Sequence, residues 1–154
     1  MKYKECPPQF LHYQQEISTP TEEEYRNGYI PLFDFEENVI NKFKDVNKPR
    51  ELARIVRELI INCHEHGNKF NPNKKVFIIV DEDDKSLTVT VKDEGVGYTK
   101  KIINELKIPT WQKPKEKVAG GHGSGFYGIR KKLEDKELDN VEITGNEIKL
   151  TIKK

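Results

Sequence analysis

Two pairs of short apolar segments, each joined by a tight polar turn, constrain this chain more than any other feature of its sequence. The pairs are residues 76–80 and 87–91, around the acidic stretch 81–84, and residues 141–144 and 148–152, around the dipeptide Gly145-Asn146. Segments of this length that are rich in valine, isoleucine and threonine are typical of strands, and a two-residue turn of glycine and asparagine is a hairpin signal. The sequence therefore predicts two antiparallel β-hairpins.

An N-terminal strand and a short helix are predicted before the first hairpin. Residues 9–18 alternate loosely, with Leu11, Tyr13 and Ile17 on one face, which indicates a strand. Thr19 would cap the following helix, with Pro20 as its first residue and Glu22 as the reciprocal partner of the cap. Gly28 would end it.

Longer helices are predicted over residues 35–45 and 49–66. A shorter helix is predicted over residues 99–107, and another follows the glycines of 120–128 and runs to about residue 136. Helix 49–66 has an apolar stripe of Leu52, Ile55, Val56, Leu59 and Cys63. Because the strands are grouped in hairpins, we expect an α+β fold, a two-layer α/β sandwich with a mixed, mostly antiparallel sheet and helices on one face. One domain would span residues 1–154, with an N-terminal strand and short helix in 1–34 and a core in 35–154.

The composition excludes several classes of protein. The 27 basic residues nearly balance the 26 acidic ones, which argues against a dedicated nucleic-acid binder. Cys6 and Cys63 form no disulfide framework, and this suits a reducing compartment. No apolar run approaches the roughly 18 residues of a membrane span, and the N-terminus lacks an apolar signal region. We expect a cytoplasmic protein without a nucleic-acid or membrane partner.

Polar residues recur along the predicted helix 49–66. Glu58, Asn62 and His66 are spaced i, i+4, i+8, so they would form one line at the edge of the apolar stripe. Such a line is either the wall of a cleft or an ordinary solvated edge, and the spacing alone leaves both readings open.

Two glycine-containing segments could approach a ligand. Asp93 follows a predicted strand, where its carboxylate could accept a hydrogen bond, and Gly95 and Gly97 would let the backbone come close. A plain turn is the alternative. Residues 120–128 contain five glycines and lead into a helix, whose free N–H groups favour an anion such as phosphate.

Other functional interpretations of these segments do not agree with the sequence around them. The pattern Gly123-x-Gly125-x-x-Gly128 follows a loop rich in proline and lysine rather than the strand that a Rossmann site requires. No Gly-Lys-Ser/Thr is present, so a P-loop is excluded. Cys63, His64 and His66 would diverge around one helix, which argues against a zinc site.

Taken in order, these segments resemble the boxes of the GHKL superfamily, the Bergerat-fold ATP-binding domain of DNA gyrase, the heat-shock-90 chaperone, sensor histidine kinases and the mismatch-repair ATPase. Residues 58–68 look like the N box, 93–97 like the G1 box and 121–126 like the G2 box, with an ATP lid at about 98–120. The resemblance covers about residues 35–154. It is strongest to the stand-alone bacterial anti-sigma factor/serine-protein kinases, in small size and in the ending Gly-Phe-Tyr-Gly-Ile-Arg-Lys-Lys-Leu.

The resemblance implies roles for individual residues. Glu58 would be the catalytic base or positioner, Asn62 would hold Mg²⁺, and Asp93 would bind the adenine amino group of ATP. The other residues that the resemblance places at the nucleotide are His66, Gly95, Gly97, Gly121, Gly123, Ser124, Gly125 and Phe126.

One departure concerns the lid. Kinases of this family usually carry an arginine just before the G2 glycines, but here no arginine lies between Arg57 and Arg130. Lys113, Lys115 or Lys117 would supply a point charge without a guanidinium fork. ATP binding is therefore implied more directly than phosphoryl transfer.

The resemblance implies a Mg-ATP-binding regulator that phosphorylates serine or threonine on a small partner, a sigma factor or an anti-anti-sigma-like protein. It is compatible with a homodimer. A non-catalytic, ATP-dependent partner-switching module is the first alternative. A detached histidine-kinase catalytic domain is the second, although no phosphoacceptor helix with a histidine is found before the domain.

Overall fold

A five-stranded antiparallel sheet forms one layer of the fold. The computed structural model describes residues 12–28, 49–98, 100, 104, 129, 131, 133–135 and 138–153. The strands are β1 (His12–Ser18), β2 (Lys75–Glu82), β3 (Ser86–Lys92), β4 (Asn140–Thr144) and β5 (Glu147–Lys153). They lie in the order β1-β2-β3-β5-β4, and each neighbouring pair of these strands is antiparallel.

The second layer contains the helix that carries Glu58 and Asn62. Helix α1 (Glu22–Arg26) follows β1, and α2 (Pro49–Asn62) continues into a π-helical turn, Cys63–Gly67. Alternate residues of the strands point to one side of the sheet and form a single core with the apolar residues of α2. That core includes Val56, Leu59 and Ile60 from α2, and Ile78, Val89 and Leu150 from the sheet. The predicted α+β sandwich is confirmed.

Local patterns predicted the sheet well. Both hairpins form, and Gly145-Asn146 makes the two-residue turn between β4 and β5, with Gly145 at φ 59°. Residues 100 and 104 are helical, as are 129, 131, 133 and 134, in agreement with the two short helices predicted there. The predicted helix 35–45 lies outside the described residues. No helix in the described ranges is long and apolar enough to cross a membrane.

The predicted cap of the first helix was wrong by two residues. Thr21, not Thr19, caps α1: its Oγ1 accepts the Glu24 N–H over 3.2 Å, and Glu24 Oε1 accepts the Thr21 N–H over 3.2 Å. Thr19 is buried instead, and its hydroxyl accepts a hydrogen bond from Asn68 Nδ2 over 2.9 Å.

The turn of the first hairpin was also placed too early. Strand β2 continues through Glu82, so Asp81 and Glu82 belong to the ladder rather than to the turn. The turn begins at Asp83, whose Oδ1 accepts the N–H groups of Lys85 and Ser86 over 2.8 and 2.7 Å. An aspartate that accepts from backbone two and three residues ahead is a strong local turn former.

Candidate functional site

The end of α2 changes from α-helical to π-helical at Cys63. The Asn68 N–H donates to the Cys63 carbonyl over 2.7 Å, a bond that spans five residues. Such insertions are frequent at functional sites. Glu58 and Asn62 remain one α-helical turn apart, whereas His66 lies beyond the change of pitch. The predicted α-helical line therefore includes Glu58 and Asn62 but does not extend to His66, which is exposed with its Nε2 3.4 Å from Glu65 Oε2.

Asn62 is a buried polar residue at this helix end. Its side chain is 5% exposed, and its Nδ2 atom has no hydrogen-bond partner in the described part of the chain. A buried amide without a partner costs free energy, so it is a group that a ligand could satisfy. Glu58, one turn earlier, is half-buried.

Asp93 follows β3 and is also 5% exposed. Its Oδ1 accepts the Gly95 N–H over 2.8 Å, and the Cys63 thiol hydrogen-bonds to its carboxylate. Burial raises the pKa of Asp93, while the Gly95 N–H, the Cys63 thiol and the charge of Lys74 act to lower it. The Asp93 carboxylate is therefore largely desolvated and held by hydrogen-bond donors. One of these donors is Cys63, the residue that follows Asn62.

Three glycines allow close packing around Asp93. A Cβ atom on Gly67 would lie 2.0 Å from Asp93 Oδ2, and one on Gly95 would lie 2.2 Å from the Gly67 carbonyl oxygen. Gly97 has φ 97°, and a Cβ there would lie 2.8 Å from the Gly145 carbonyl oxygen. Residues 93–98 are thus pressed between the end of α2 and the β4–β5 turn.

Two asparagines outside the predicted set of site residues hold this loop in place. Asn68 is 1% exposed, its Nδ2 donates to Thr19 Oγ1 and to the Lys75 carbonyl, and its Oδ1 accepts the Glu94 N–H over 2.9 Å. Asn146 Nδ2 donates to the Asp93 carbonyl over 2.6 Å. The bonds to Glu94 and Asp93 span 26 and 53 residues, so no local pattern indicates them.

Gly121, Gly123, Ser124, Gly125 and Phe126 lie outside the described residues, as does most of the predicted lid. Their assignment to the nucleotide stays a prediction.

The residues at the helix end fit a magnesium ion that a nucleotide brings with it. Among the described residues, no group of three or more histidines, cysteines, aspartates or glutamates is arranged to hold a metal alone. Magnesium needs few protein ligands when phosphates and water complete its shell, and it prefers oxygen. The amide oxygen of Asn62 is a ligand of this type, and its Nδ2, which has no partner among the described residues, is a donor that suits a phosphate oxygen beside the ion.

The fold and site together define a class of protein: a two-layer α+β domain with a buried carboxylate after a central strand and a buried asparagine at the adjoining helix end. Residues 47–154 match the family described as histidine kinase-, DNA gyrase B-, and HSP90-like ATPase. The chain belongs to this family, which confirms the GHKL resemblance and implies ATP binding.

Similar proteins include bacterial regulators and a kinase domain. The anti-sigma F factors of Bacillus velezensis and Bacillus subtilis are each 30% identical over 101 residues, and the match spans 66% of this chain and 66% of each relative. That of Oceanobacillus iheyensis is 29% identical over 101 residues. The nucleotide-free catalytic domain of the histidine kinase ThkA has the same fold, with 16% identity, a TM-score of 0.50 and coverage of 92% of this chain and 95% of that one.

Proposed function

We propose that this protein is a cytoplasmic, anti-sigma-type regulator that binds Mg-ATP and phosphorylates serine or threonine on a small partner protein. One arrangement carries the proposal: the buried Asp93 carboxylate contacts Cys63, and the residue before Cys63 is the buried Asn62, whose amide nitrogen has no partner among the described residues. This proximity of an acceptor suited to a base and an amide suited to phosphate or its metal, from two elements, supports the proposal.

The proposed nucleotide contacts follow from the chemistry of these groups. Asp93 accepts a hydrogen bond from the adenine amino group, and Gly95 and Gly97 leave room for the base. Asn62 would hold a magnesium ion through its amide oxygen, and the ion would supply neutralisation of phosphate charge. The glycines of residues 121–125 would supply N–H groups to the phosphates, and His66 would lie at the edge of the site.

The proposed reaction is a transfer of the γ-phosphoryl group. The hydroxyl oxygen of the partner's serine or threonine forms a bond to the γ-phosphorus, the bond from that phosphorus to the bridging oxygen of ADP breaks, and the hydroxyl proton passes to Glu58. Glu58 suits this role because it is half-buried and one turn before Asn62. A positioned base contributes about 10²–10⁴-fold to the rate.

The proposed partner comes from the names of the relatives. Their description as anti-sigma F factors supports a sigma factor as one partner, and the stand-alone kinases that the chain resembles support an anti-anti-sigma-like protein as the phosphoryl acceptor. A homodimer is part of the proposal only as a state compatible with the family resemblance.

Labelled ATP and candidate partners from neighbouring genes test the proposal. We expect label on a serine or threonine of a partner with the wild type. Glu58→Gln should lower transfer by at least about 10²-fold and leave ATP affinity equal or slightly higher, because it removes a negative charge near the phosphates. Glu23→Gln, a change at an exposed glutamate of α1, is the matched control and should transfer normally.

The absence of an arginine between Arg57 and Arg130 favours a second candidate, a non-catalytic switch that binds its partner in an ATP-dependent manner. Tight ATP-dependent partner binding without label in the wild type would support that candidate and remove Glu58 as a catalytic residue. Label on a histidine of a partner would instead indicate a detached histidine-kinase catalytic domain.

A further inference from the structure

The turn between β4 and β5 is hydrogen-bonded to the loop that follows β3, residues 93–98. The Asp93 N–H donates to the Asn146 carbonyl over 3.2 Å, and the Tyr98 N–H donates to the Gly145 carbonyl over 2.8 Å. Both ends of the loop are therefore tied to the same two-residue turn.

The side chain of Asn146, which is half-buried, adds a bond inside the loop. Its Nδ2 donates to the Asp93 carbonyl over 2.6 Å and lies 3.5 Å from the Gly95 carbonyl oxygen. The Asp93 Oδ1 atom accepts the Gly95 N–H over 2.8 Å. The Asn146 amide thus contacts the same two residues whose relative position sets the direction of the Asp93 carboxylate.

The loop is packed closely on both sides. A Cβ atom on Gly97 would lie 2.8 Å from the Gly145 carbonyl oxygen and 3.3 Å from the Asn146 backbone nitrogen. On the other side, a Cβ atom on Gly95 would lie 2.2 Å from the Gly67 carbonyl oxygen. Because glycine has more backbone freedom than any other residue, a loop with two glycines needs bonds from its neighbours to keep one position.

We propose that Asn146 is a positioning residue of the nucleotide site, which holds the backbone of residues 93–95 so that the Asp93 carboxylate faces the purine base. This inference rests on the nucleotide site proposed above and gives the β4–β5 turn a part in base recognition that acts through Asp93. A group that is already held in its binding position loses less freedom when the ligand arrives, so the amide raises the affinity for the base.

Asn146 also has an ordinary structural explanation, because asparagine and aspartate both favour tight turns. The two roles depend on different atoms of the side chain. Either residue can form the turn, whereas holding the loop requires the Nδ2 donor, which aspartate lacks. In Asn146→Asp an acceptor oxygen would face the carbonyl oxygens of Asp93 and Gly95, so this variant separates the two roles.

Binding of ATP and of ADP by the full chain, measured by calorimetry at equal Mg²⁺, tests the inference. Asn146→Ala should lower the affinity for both nucleotides by about 3- to 10-fold, as expected for loss of one hydrogen bond at a half-buried group, and Asn146→Asp should lower it at least as much. The ratio of ATP to ADP affinity should stay within about twofold of the wild type, because the two nucleotides share the base and differ in the γ-phosphate.

The matched control is Asn140→Ala, which removes an amide from the other end of the same hairpin. Asn140 is exposed, and its Nδ2 donates to Glu142 Oε1 over 3.1 Å rather than to the loop after β3. Both affinities should stay unchanged in this variant. Circular dichroism shows whether each variant is folded, and Asn146→Asp is the second variant should Asn146→Ala unfold.

A double-mutant cycle tests whether Asn146 acts through Asp93. Two residues that act as one unit have effects that do not add. In the Asp93→Asn background, Asn146→Ala should therefore lower ATP affinity by less than about twofold further.

The outcomes distinguish failure of this inference from failure of the nucleotide site. The positioning role is overturned, while the nucleotide site stands, if Asn146→Ala or Asn146→Asp binds both nucleotides as the wild type does. A changed ratio of ATP to ADP affinity, or a full additional loss in the Asp93→Asn background, would overturn it in the same way. If the wild type binds neither nucleotide, the proposed function fails, and the positioning role fails with it.

Discussion

Asp93 is a single residue on which ligand recognition can depend, because it is buried and already bonded by the Gly95 N–H. Asp93→Asn keeps the size of the side chain but replaces one acceptor oxygen with an amide donor that would face the adenine amine. Loss of a charge-assisted hydrogen bond costs about 1.5–3 kcal/mol, so we expect ATP affinity to fall by about 10- to 150-fold. Calorimetry with Asp139→Asn, an exposed aspartate, provides the comparison. Equal ATP affinities for Asp93→Asn and the wild type would remove Asp93 from the site.

Gly67 has no room for a methyl group, because a Cβ there would lie 2.0 Å from Asp93 Oδ2. Gly67→Ala should displace the Asp93 side chain and lower both ATP affinity, by at least about 10-fold, and the free energy of unfolding, by about 1–3 kcal/mol. Calorimetry and urea unfolding measure the two effects.

Gly28→Ala separates stability from binding in that experiment. Gly28 has φ 85° with open space around its Cβ position, so alanine there should cost only backbone strain of about 1 kcal/mol and leave ATP affinity unchanged. Normal ATP affinity in Gly67→Ala would show that Asp93 can move without loss of binding.

At the scale of elements, sequence patterns predicted the presence of the strands but not which of two threonines caps helix α1. Thr19 with Glu22 and Thr21 with Glu24 are two overlapping copies of the same capping pattern, so local signals could not choose between them. The choice is made by tertiary structure, because Asn68 takes the Thr19 hydroxyl as a partner and leaves Thr21 to cap α1.

The π-helical turn at Cys63 was beyond sequence reasoning for a similar reason. Apolar spacing predicts a helix through residue 66 but does not distinguish α from π pitch. The π-helical turn places Gly67 in contact with Asp93 and Gly95. The whole β2–β3 hairpin separates Gly67 from these two residues in the chain. Asp93, Gly95 and Gly97 were recognisable as a candidate segment, whereas the contacts that position them are long-range.

Asn68 joins three elements, and its removal tests how firmly the loop after β3 is held. Asn68→Ala leaves the Thr19 hydroxyl, the Lys75 carbonyl and the Glu94 N–H without their partner. We expect the free energy of unfolding to fall by about 2–4 kcal/mol, because lost bonds at buried groups are not fully replaced by water. Urea unfolding measures the change.

Asn73→Ala, at an exposed position of the same connection, should cost less than about 0.5 kcal/mol. Similar losses in the two variants would contradict a joining role for Asn68.

At the scale of the whole molecule, the hairpins and the family boxes were enough to predict the architecture. Strand alternation is local, and both hairpins close within a few residues, so the sheet follows from the sequence. The site does not, because it forms where the end of α2, the loop after β3 and the β4–β5 turn meet. The geometry of the site depends on hydrogen bonds between buried polar groups that are far apart in the chain. Local sequence patterns do not predict which groups pair.

His64 is a buried polar residue that affects the free energy of unfolding of the whole fold. Its side chain is fully buried, and neither ring nitrogen has a hydrogen-bond partner in the described part of the chain. Burial lowers the pKa of His64 from 6.5 to about 4, because the charged imidazolium would be desolvated. The folded state therefore disfavours a proton that the unfolded state accepts.

The sign of the resulting pH dependence is fixed by these two pKa values. Above pH 6.5 the histidine is neutral in both states and the stability is intact; as the pH falls from 6.5 towards 4, the unfolded chain takes up the proton first and stability is lost. His64 should account for a loss of about 2–3 kcal/mol between pH 7 and pH 4.5. His64→Leu, which replaces the imidazole with an apolar side chain of similar size, should lack this part of the loss, whereas the exposed control His66→Gln should retain it. Urea unfolding of the three proteins at both pH values measures the difference, and the same loss in His64→Leu as in the wild type would show that His64 is already protonated in the fold or finds water as a partner.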